Sequence, residues 1–351
     1  MSFQVLINID DRSQVGEARR AAAEITRTLS FDDTGAGNVA IAVTEVATNI
    51  VKHAARGKLV LRTLERDGVG GLEVLALDQG PGIANFGASL RDGQSTAGSL
   101  GTGLGAIDRA SARMEVFSKV GQGTAFRLEF WARPLRQVPA SFEVGAVCLA
   151  KSGEVVSGDA WRMEAHSPSP EEPGPETAAR NTRRLHKLLV ADGLGHGADA
   201  ARAARAAVQL LETHLKEEPG EMLRLGHLAL ASTRGAAVAV ASFSADSPDG
   251  TFAGVGNIAA RVEAPGARRQ LVSHNGTVGH ALRKVQEFPF EFPPDGILIL
   301  HSDGLAGHWT LAEYPGLMGK HAALIAGVLY RDHDRGRDDV TVVVIKRGSG
   351  A

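Results

Sequence analysis

The sequence predicts an α/β (α+β) protein of two layered domains, and three observations predict it. At 351 residues the chain is too long for one typical domain and comfortable for two. Runs of helical period and runs of strand period succeed one another along its length. Between them lies RPLRQVP, Arg133 to Pro139, with two prolines, mixed charge and no period, which reads as a linker. Domains are therefore expected over residues 1–132 and 141–346, with 133–140 joining them.

Residues 3–9 read as a strand, and Asp10 to Ser13 offer caps for a helix near 14–29. A second helix is expected near 37–54, where Val39, Val43, Val46, Ile50 and Ala54 fall at helical spacing. Strands follow near 58–65 and 72–77, then a glycine-rich irregular stretch over 79–102, a short helix, and strands near 114–119 and 124–131. The first domain is thus expected as helices layered on one face of a mixed sheet. In the second half, strands are expected near 142–150 and 154–158. Residues 167–177 (SPSPEEPGPET) are proline-rich and acidic with no apolar anchor, which predicts a solvated loop. The strand LHKLLVA, helices near 198–215 and 220–231, short strands up to 301, a helix near 316–330 and the strand VTVVVIK complete the pattern. Many strands with few, late helices predict two sheets face to face with helices outside.

Composition narrows the function. A hydrophobic fraction of 43% is enough to bury a core in each half. The net charge of -2 argues against a general nucleic-acid binder, whose surface must neutralise phosphates. No apolar run is long enough to cross a bilayer, and the start, MSFQVLINIDDRS, has acids where a signal peptide is basic and then apolar. The single cysteine, Cys148, excludes an internal disulfide and a cysteine-rich zinc site. The expectation is a cytoplasmic protein that engages neither nucleic acid nor membrane.

Three N-terminal segments carry chemistry. TEVATNIVKHA sets Glu45, Asn49, Lys52 and His53 on one helical face. A carboxylate and a carboxamide one turn apart suit a magnesium–phosphate site: the amide oxygen ligates Mg²⁺ while the acid draws a proton from an attacking hydroxyl or water. A solvated helix face shows the same residues. In LDQGPGI, Asp78 ends an apolar strand beside Gly80 and Gly82, which let the backbone turn tightly. A carboxylate there can accept a hydrogen bond from an adenine amino group, although a plain turn uses the same residues. In SLGTGLGAIDRA, Gly101, Gly103 and Gly105 open a helix whose N–H groups can meet phosphates. No strand directly precedes this loop, as a dinucleotide fold requires, and it lacks the GK[ST] ending of a P-loop.

Four aspartates stand at the edges of apolar runs in the second half: Asp159 in VVSGDAW, Asp192 in LLVADGLGHG, Asp303 in LILHSDGL and Asp338 in GRDDVTVVVI. Any one of them is readily a turn former. Four on separate strands suit Mg²⁺ or Mn²⁺, hard cations held by a few carboxylates and water. Asp339 follows Asp338, and adjacent residues in an extended segment point oppositely, so one of the two is a direct ligand and Asp338 is the choice. His196, in the loop after Asp192, suits either protonation of a leaving oxygen or support of the turn. The scattered spacing of His274, His280 and His301 speaks against zinc.

In order and spacing, the three N-terminal segments, followed by GQGTAF, resemble the Bergerat-fold (GHKL) ATPases over about residues 1–132. Most similar are the small anti-sigma-factor and switch serine kinases of bacterial partner-switching systems. The resemblance implies an α/β sandwich that binds ATP with Mg²⁺. Glu45 would be the catalytic base, Asn49 the Mg²⁺ ligand and Asp78 the adenine contact. Gly80 and Gly82 would frame the nucleotide, Gly101, Gly103 and Gly105 would hold phosphates under a lid, and Thr124 would support the adenine side. No helical hairpin offers a phosphoacceptor histidine, so a serine kinase fits better than a sensor histidine kinase.

The aspartate set, with GVGNI and SHNGTVGH, resembles the PPM-type Ser/Thr phosphatases of the SpoIIE/RsbX-type branch over about residues 141–346. That resemblance implies an α-β-β-α sandwich with two Mg²⁺ or Mn²⁺ ions at one edge. Asp192 would bridge both ions at the catalytic centre with help from the Gly193 carbonyl, Asp159 would hold one ion, and Asp303 and Asp338 the other. The ions would activate a water for in-line attack on phosphorus, with no covalent phosphoenzyme. Together the halves imply one regulator driving both directions of a switch in bacterial stress or sigma-factor control. Its substrate would be a serine or threonine of a STAS-domain antagonist or stressosome scaffold protein. Two alternatives stay open: a first domain that binds ATP and sequesters a sigma-factor regulator without phosphorylating it, and one that senses ATP only to regulate the phosphatase.

Overall fold

In the computed structural model, which describes residues 3–84, 86, 103–136, 140–166 and 184–348, the first helix begins at its cap. Asp11 Oδ1 accepts from the Ser13 N–H at 2.6 Å and Gln14 Oε1 accepts from the Asp11 N–H at 3.0 Å, the reciprocal arrangement that starts α1 (Arg12–Thr28). α2 (Asp33–Asn49) begins ahead of the expected 37 because Asp32 caps it through the Gly35 N–H at 2.7 Å. It runs into a π-turn, Ile50–Ala54, and Ala55 at φ 64° stops it. Gly101, the middle of the linker and the stretch 167–177 lie outside the described residues.

The chain forms two compact units, Ser2–Val138 with Gly319–Arg331, and Pro139–Met318 with Asp332–Ala351. In the first, β1 (Gln4–Ile9), β2 (Gly57–Arg66), β3 (Val69–Asp78), β4 (Arg113–Ser118) and β5 (Thr124–Trp131) form one sheet in the order β1-β2-β3-β5-β4. Every ladder is antiparallel, which corrects the expected mixed sheet. β3 and β4 do run the same way, as a crossover through α3 (Gly103–Ala110) requires, but β5 pairs between them. Alternation splits the strands between two faces. Leu72, Val74 and Ala76 join Ala22, Val43 and Ile107 in the core under the helices, while Leu75 and Leu77 face away from that core.

That opposite face carries a buried ionic row. Glu73 forms an ion pair with Arg62 at 2.8 Å and accepts from Arg127 Nε at 2.7 Å, Arg127 also reaches Glu129, and Trp131 Nε1 donates to Glu129 at 2.7 Å. α6 (Ala322–His333) packs on the same face. Its start is corrected from the expected 316, since two 3₁₀ turns, Leu311–Glu313 and Leu317–Gly319, precede it. Ala322 through Arg331 are all buried, as an all-round apolar helix requires.

The second unit holds two five-stranded antiparallel sheets, built from β6 (Phe142–Leu149), β7 (Asp159–His166), β8 (Leu185–Gly193), β9 (Ala236–Ser244), β10 (Asp249–Val255), β11 (Ala259–Ala264), β12 (Ala267–Leu271), β13 (Phe288–Glu291), β14 (Ile297–His301) and β15 (Val340–Arg347). One sheet runs β13-β10-β9-β8-β7 and the other β12-β11-β14-β15-β6. Phe142, Phe243, Phe252, Leu298 and Val343 fill the space between them. α4 (Ala198–Thr213) and α5 (Pro219–Ala229) cover the outer face of the first sheet through Val208, Leu211, Met222 and Leu223. The strand expected at 154–158 is a turn instead. Gly153 at φ 90° reverses the chain, and the strand begins only at Asp159, where pairing with β8 becomes available.

Candidate nucleotide site and candidate metal centre

In the first unit, Glu45 and Asn49 lie one turn apart near the end of α2, both half-buried. Glu45 meets the start of α3: a Cβ at Gly103 would stand 2.9 Å from Glu45 Oε2, so only glycine leaves the carboxylate its place. Gly105 is buried in the same first turn of that helix. The structure thus joins two of the three segments, with a carboxylate beside the N–H-rich end of a helix.

Asp78, the last residue of β3, is held by its own glycine turn. Its Oδ1 accepts from the Gly80 N–H at 2.8 Å and from the Thr124 N–H at 3.2 Å. Gly82 takes φ 73° against the Lys119 carbonyl, and Gly123 takes φ 82° with no room for a Cβ, which would lie 2.0 Å from the Asp78 carbonyl. Thr124 Oγ1 pairs with Ser118 Oγ at 2.9 Å. Burial raises the Asp78 carboxyl above its ordinary range, against the Gly80 and Thr124 N–H groups and the charges of Arg331 and His53. The arrangement offers a fixed, partly desolvated acceptor at a strand end, which fits an adenine amino group, and a carboxylate at a helix start, which fits phosphate chemistry.

In the second unit, Asp159 and Asp192 stand directly opposite in the β7–β8 ladder. Asp303 lies just beyond β14 and Asp338 just before β15, at the same end of that pair, where the Ser302 N–H donates to the Thr341 carbonyl at 3.0 Å. Ser302 Oγ donates to Asp159 Oδ2 at 2.6 Å and so ties the two sheets together at their acidic edge. Asn257 Nδ2 donates to Asp303 Oδ2 at 2.7 Å. Neither partner is legible as such in the sequence, although the adjoining HSDG and GVGN contexts mark their neighbourhood. A Cβ at Gly193 would stand 2.1 Å from the Ala200 carbonyl, so α4 seats directly on the turn after Asp192.

This edge concentrates negative charge. Burial drives Asp192 up to about 9, reinforced by the charges of Asp159, Asp303, Asp338 and Asp339, and drives Asp159 up to about 7. Among the described residues no arginine or lysine pairs with Asp159, Asp192, Asp303 or Asp338, and Asp159 Oδ1 is buried without a hydrogen-bond partner. A hard divalent cation fits that donor set. No three His, Cys, Asp or Glu side chains among the described residues converge on one point, so water and the Gly193 carbonyl would complete any ion's shell.

Asp338 is exposed and accepts from the Asp339 N–H at 3.0 Å. Asp339 points inward instead, accepting from the Lys151 N–H at 2.9 Å. His196 Nδ1 pairs with Glu154 Oε1 at 2.5 Å. His274, His280 and His301 have separate surroundings: the Phe288 ring, the Thr233 carbonyl and the Ser302 carbonyl.

The fold and the family matches together define an ATPase-type module and a phosphatase-type module on one chain. The histidine kinase-like ATPase domain family matches residues 9–130, and the Stage II sporulation protein E (SpoIIE) family matches residues 183–348. The serine/threonine-protein kinase RsbT of Bacillus subtilis (strain 168) is 30% identical over 133 residues, 38% of this chain and 100% of RsbT. The chain belongs to the histidine kinase-like ATPase family and carries a SpoIIE-type PPM phosphatase domain behind that module. Among solved structures, RsbX in complex with magnesium is 20% identical at a TM-score of 0.49, covering 59% of this chain and 96% of RsbX. The PP2C phosphatase domain of Bacillus subtilis SpoIIE, with a fragment of its regulatory domain, is 16% identical at 0.47, covering 97% of this chain and 96% of its own.

Proposed function

We propose that the chain is a bifunctional, cytoplasmic partner-switching regulator. Its first module phosphorylates a serine or threonine of a small regulatory protein with ATP, and its second removes that phosphate. The similarity to RsbT supports a kinase of this kind, and the similarity of the second module to SpoIIE and RsbX supports its opposing phosphatase. A STAS-domain antagonist or a stressosome scaffold protein is the proposed substrate class. A single observation carries the bifunctional reading: the chain keeps the acid of each site in place, Glu45 against the start of α3 and Asp192 at the centre of the acidic edge.

In the kinase step, Asp78 accepts from the adenine amino group, with Thr124 behind it and Gly80 and Gly82 shaping the turn. Gly101, Gly103 and Gly105 would admit the phosphates, Asn49 would hold Mg²⁺, and Glu45 would take the proton from the attacking hydroxyl. In the phosphatase step, bound Mg²⁺ or Mn²⁺ supplies charge neutralisation and an activated water. By the motif resemblance, Asp192 and the Gly193 carbonyl would serve both ions, Asp159 one of them, and Asp303 and Asp338 the other, the acids closing together as the metal binds. Ser302 and Asn257 hold Asp159 and Asp303 in orientation.

Transfer of labelled γ-phosphate from ATP to STAS-domain proteins tests the reading. An Asp192→Asn chain, expected to lose about 10²-fold or more of its phosphatase rate, preserves the product, and Glu45→Ala is the control. Label on a partner serine or threonine that vanishes with Glu45→Ala is the expected result. Tight ATP binding with no transfer to any partner sinks the bifunctional reading and leaves a phosphatase with a nucleotide-binding module.

A further inference from the structure

The nucleotide unit is completed from far downstream. Arg331, 253 residues from Asp78, donates from Nη1 to the Asp78 carbonyl at 3.2 Å. Its own carbonyl accepts from Gln79 Nε2 at 3.2 Å. One helical residue therefore clamps two consecutive residues at the exit of β3. The Asp78 side chain is held independently by the Gly80 and Thr124 N–H groups, so the strand end is fixed through its carboxylate by the glycine turn and through its carbonyl by α6.

The rest of α6 seats this clamp. Gly327 lets the helix close on the sheet, since a Cβ there would stand 3.2 Å from Leu77 and 3.3 Å from Leu75. Lys58 Nζ donates to the Tyr330 hydroxyl at 2.9 Å, and the His321 N–H donates to Glu115 Oε2 at 2.8 Å. The helix thus engages β2, β3 and β4, whereas the ATPase family match ends at residue 130. It is an addition to that family's outline, placed against the residue assigned to adenine.

We propose that α6 is a working part of the nucleotide site and that Arg331 is a positioning residue, holding Asp78 in register for the adenine amino group and so setting the preference for adenine. The physical reason is directional. A single carboxylate–amine hydrogen bond weakens steeply once its geometry drifts, and a charged donor on the neighbouring carbonyl restrains the backbone that aims it. The phosphate side, at Gly103 and Glu45, rests on other elements. The inference depends on the reading of Asp78 as the adenine contact.

Calorimetric titration of the full chain with ATP, GTP and magnesium tripolyphosphate tests it, using wild type, Arg331→Ala, Arg331→Lys and Gln79→Ala. Arg331→Ala is expected to weaken ATP about tenfold and to cut the preference for ATP over GTP by a similar factor, with tripolyphosphate unchanged. Arg331→Lys should recover part of the loss, and Gln79→Ala should shift ATP the same way by a few-fold. Thermal melting identifies a variant that fails to fold; Gln79→Ala then carries the test. Unchanged ATP preference in the variants, or equal losses for ATP and tripolyphosphate, overturns the inference and leaves α6 a packing element. A wild type that binds GTP as well as ATP fails differently: it overturns the assignment of Asp78 itself, before any variant is made.

Discussion

Asp192 and Asp159 oppose each other across one ladder, with three more aspartates contributing charge, and burial pushes both above the ordinary carboxylate range. In the metal-free chain the consequence for stability has a definite sign. A carboxyl whose folded pKa is raised binds more protons folded than unfolded, so its contribution is fully present below about pH 4 and is lost as pH climbs through the raised values. The chelated protein is therefore expected to melt at progressively lower temperature from about pH 5 to about pH 9, and Mn²⁺ should reverse that trend. A chelated melting temperature that is flat or rises over this range rules the account out. Asp192→Asn follows the same logic: it removes a carboxyl that burial holds protonated far above its ordinary range, so near pH 8 the metal-free variant should be more stable than wild type, on the order of 1–3 kcal/mol, while losing phosphatase activity. Comparison of denaturant midpoints with chelator present decides this, and a destabilised variant counts against it.

At the scale of elements, α2 and α3 meet at one point, the Glu45 carboxylate against Gly103. Gly103→Ala stands at the first position of α3, where helix propensity counts for little, yet its Cβ displaces that carboxylate. The expected outcome is an intact melting temperature with phosphotransfer reduced about tenfold or more. Full phosphotransfer in the variant would remove Glu45 from the proposed base position. The opposite sheet face makes a pure stability prediction. Glu73→Ala leaves Arg62 and Arg127 without their shared buried carboxylate and should cost about 3–5 kcal/mol, read as a shift in urea midpoint. Glu45, Asn49 and the four aspartates were legible in the sequence because helical spacing or a strand-edge glycine context marks each of them. Glu73, Ser302 and Asn257 were not, because their roles exist only once distant strands pair. The same limit explains the sheet: hydrophobic alternation locates β3, β4 and β5 but says nothing about which lies in the middle.

For the whole molecule, the sequence divides the chain at its proline-bearing linker, while the compact units divide it differently, with Gly319–Arg331 folding beside Ser2–Val138. Periodicity shows that α6 is an apolar helix, but nothing local says which sheet it covers. Its placement has a testable consequence, because the chain passes from the end of α6 at His333 through the short segment 334–337 to Asp338, an acid of the proposed metal centre. Nucleotide bound at the Asp78 turn, which Arg331 ties to α6, would bear on the helix end from which that segment departs. A saturating, non-hydrolysable ATP analogue is therefore expected to change the rate of para-nitrophenyl phosphate hydrolysis about fivefold or more. Arg331→Ala should blunt that response even at nucleotide concentrations that restore occupancy. Linkage adds an equilibrium test: Mn²⁺ affinity should shift with nucleotide by the same factor as nucleotide affinity shifts with Mn²⁺. Independence of the two affinities, with hydrolysis indifferent to the analogue, would mean that α6 serves the nucleotide site alone and that the two activities merely share a chain.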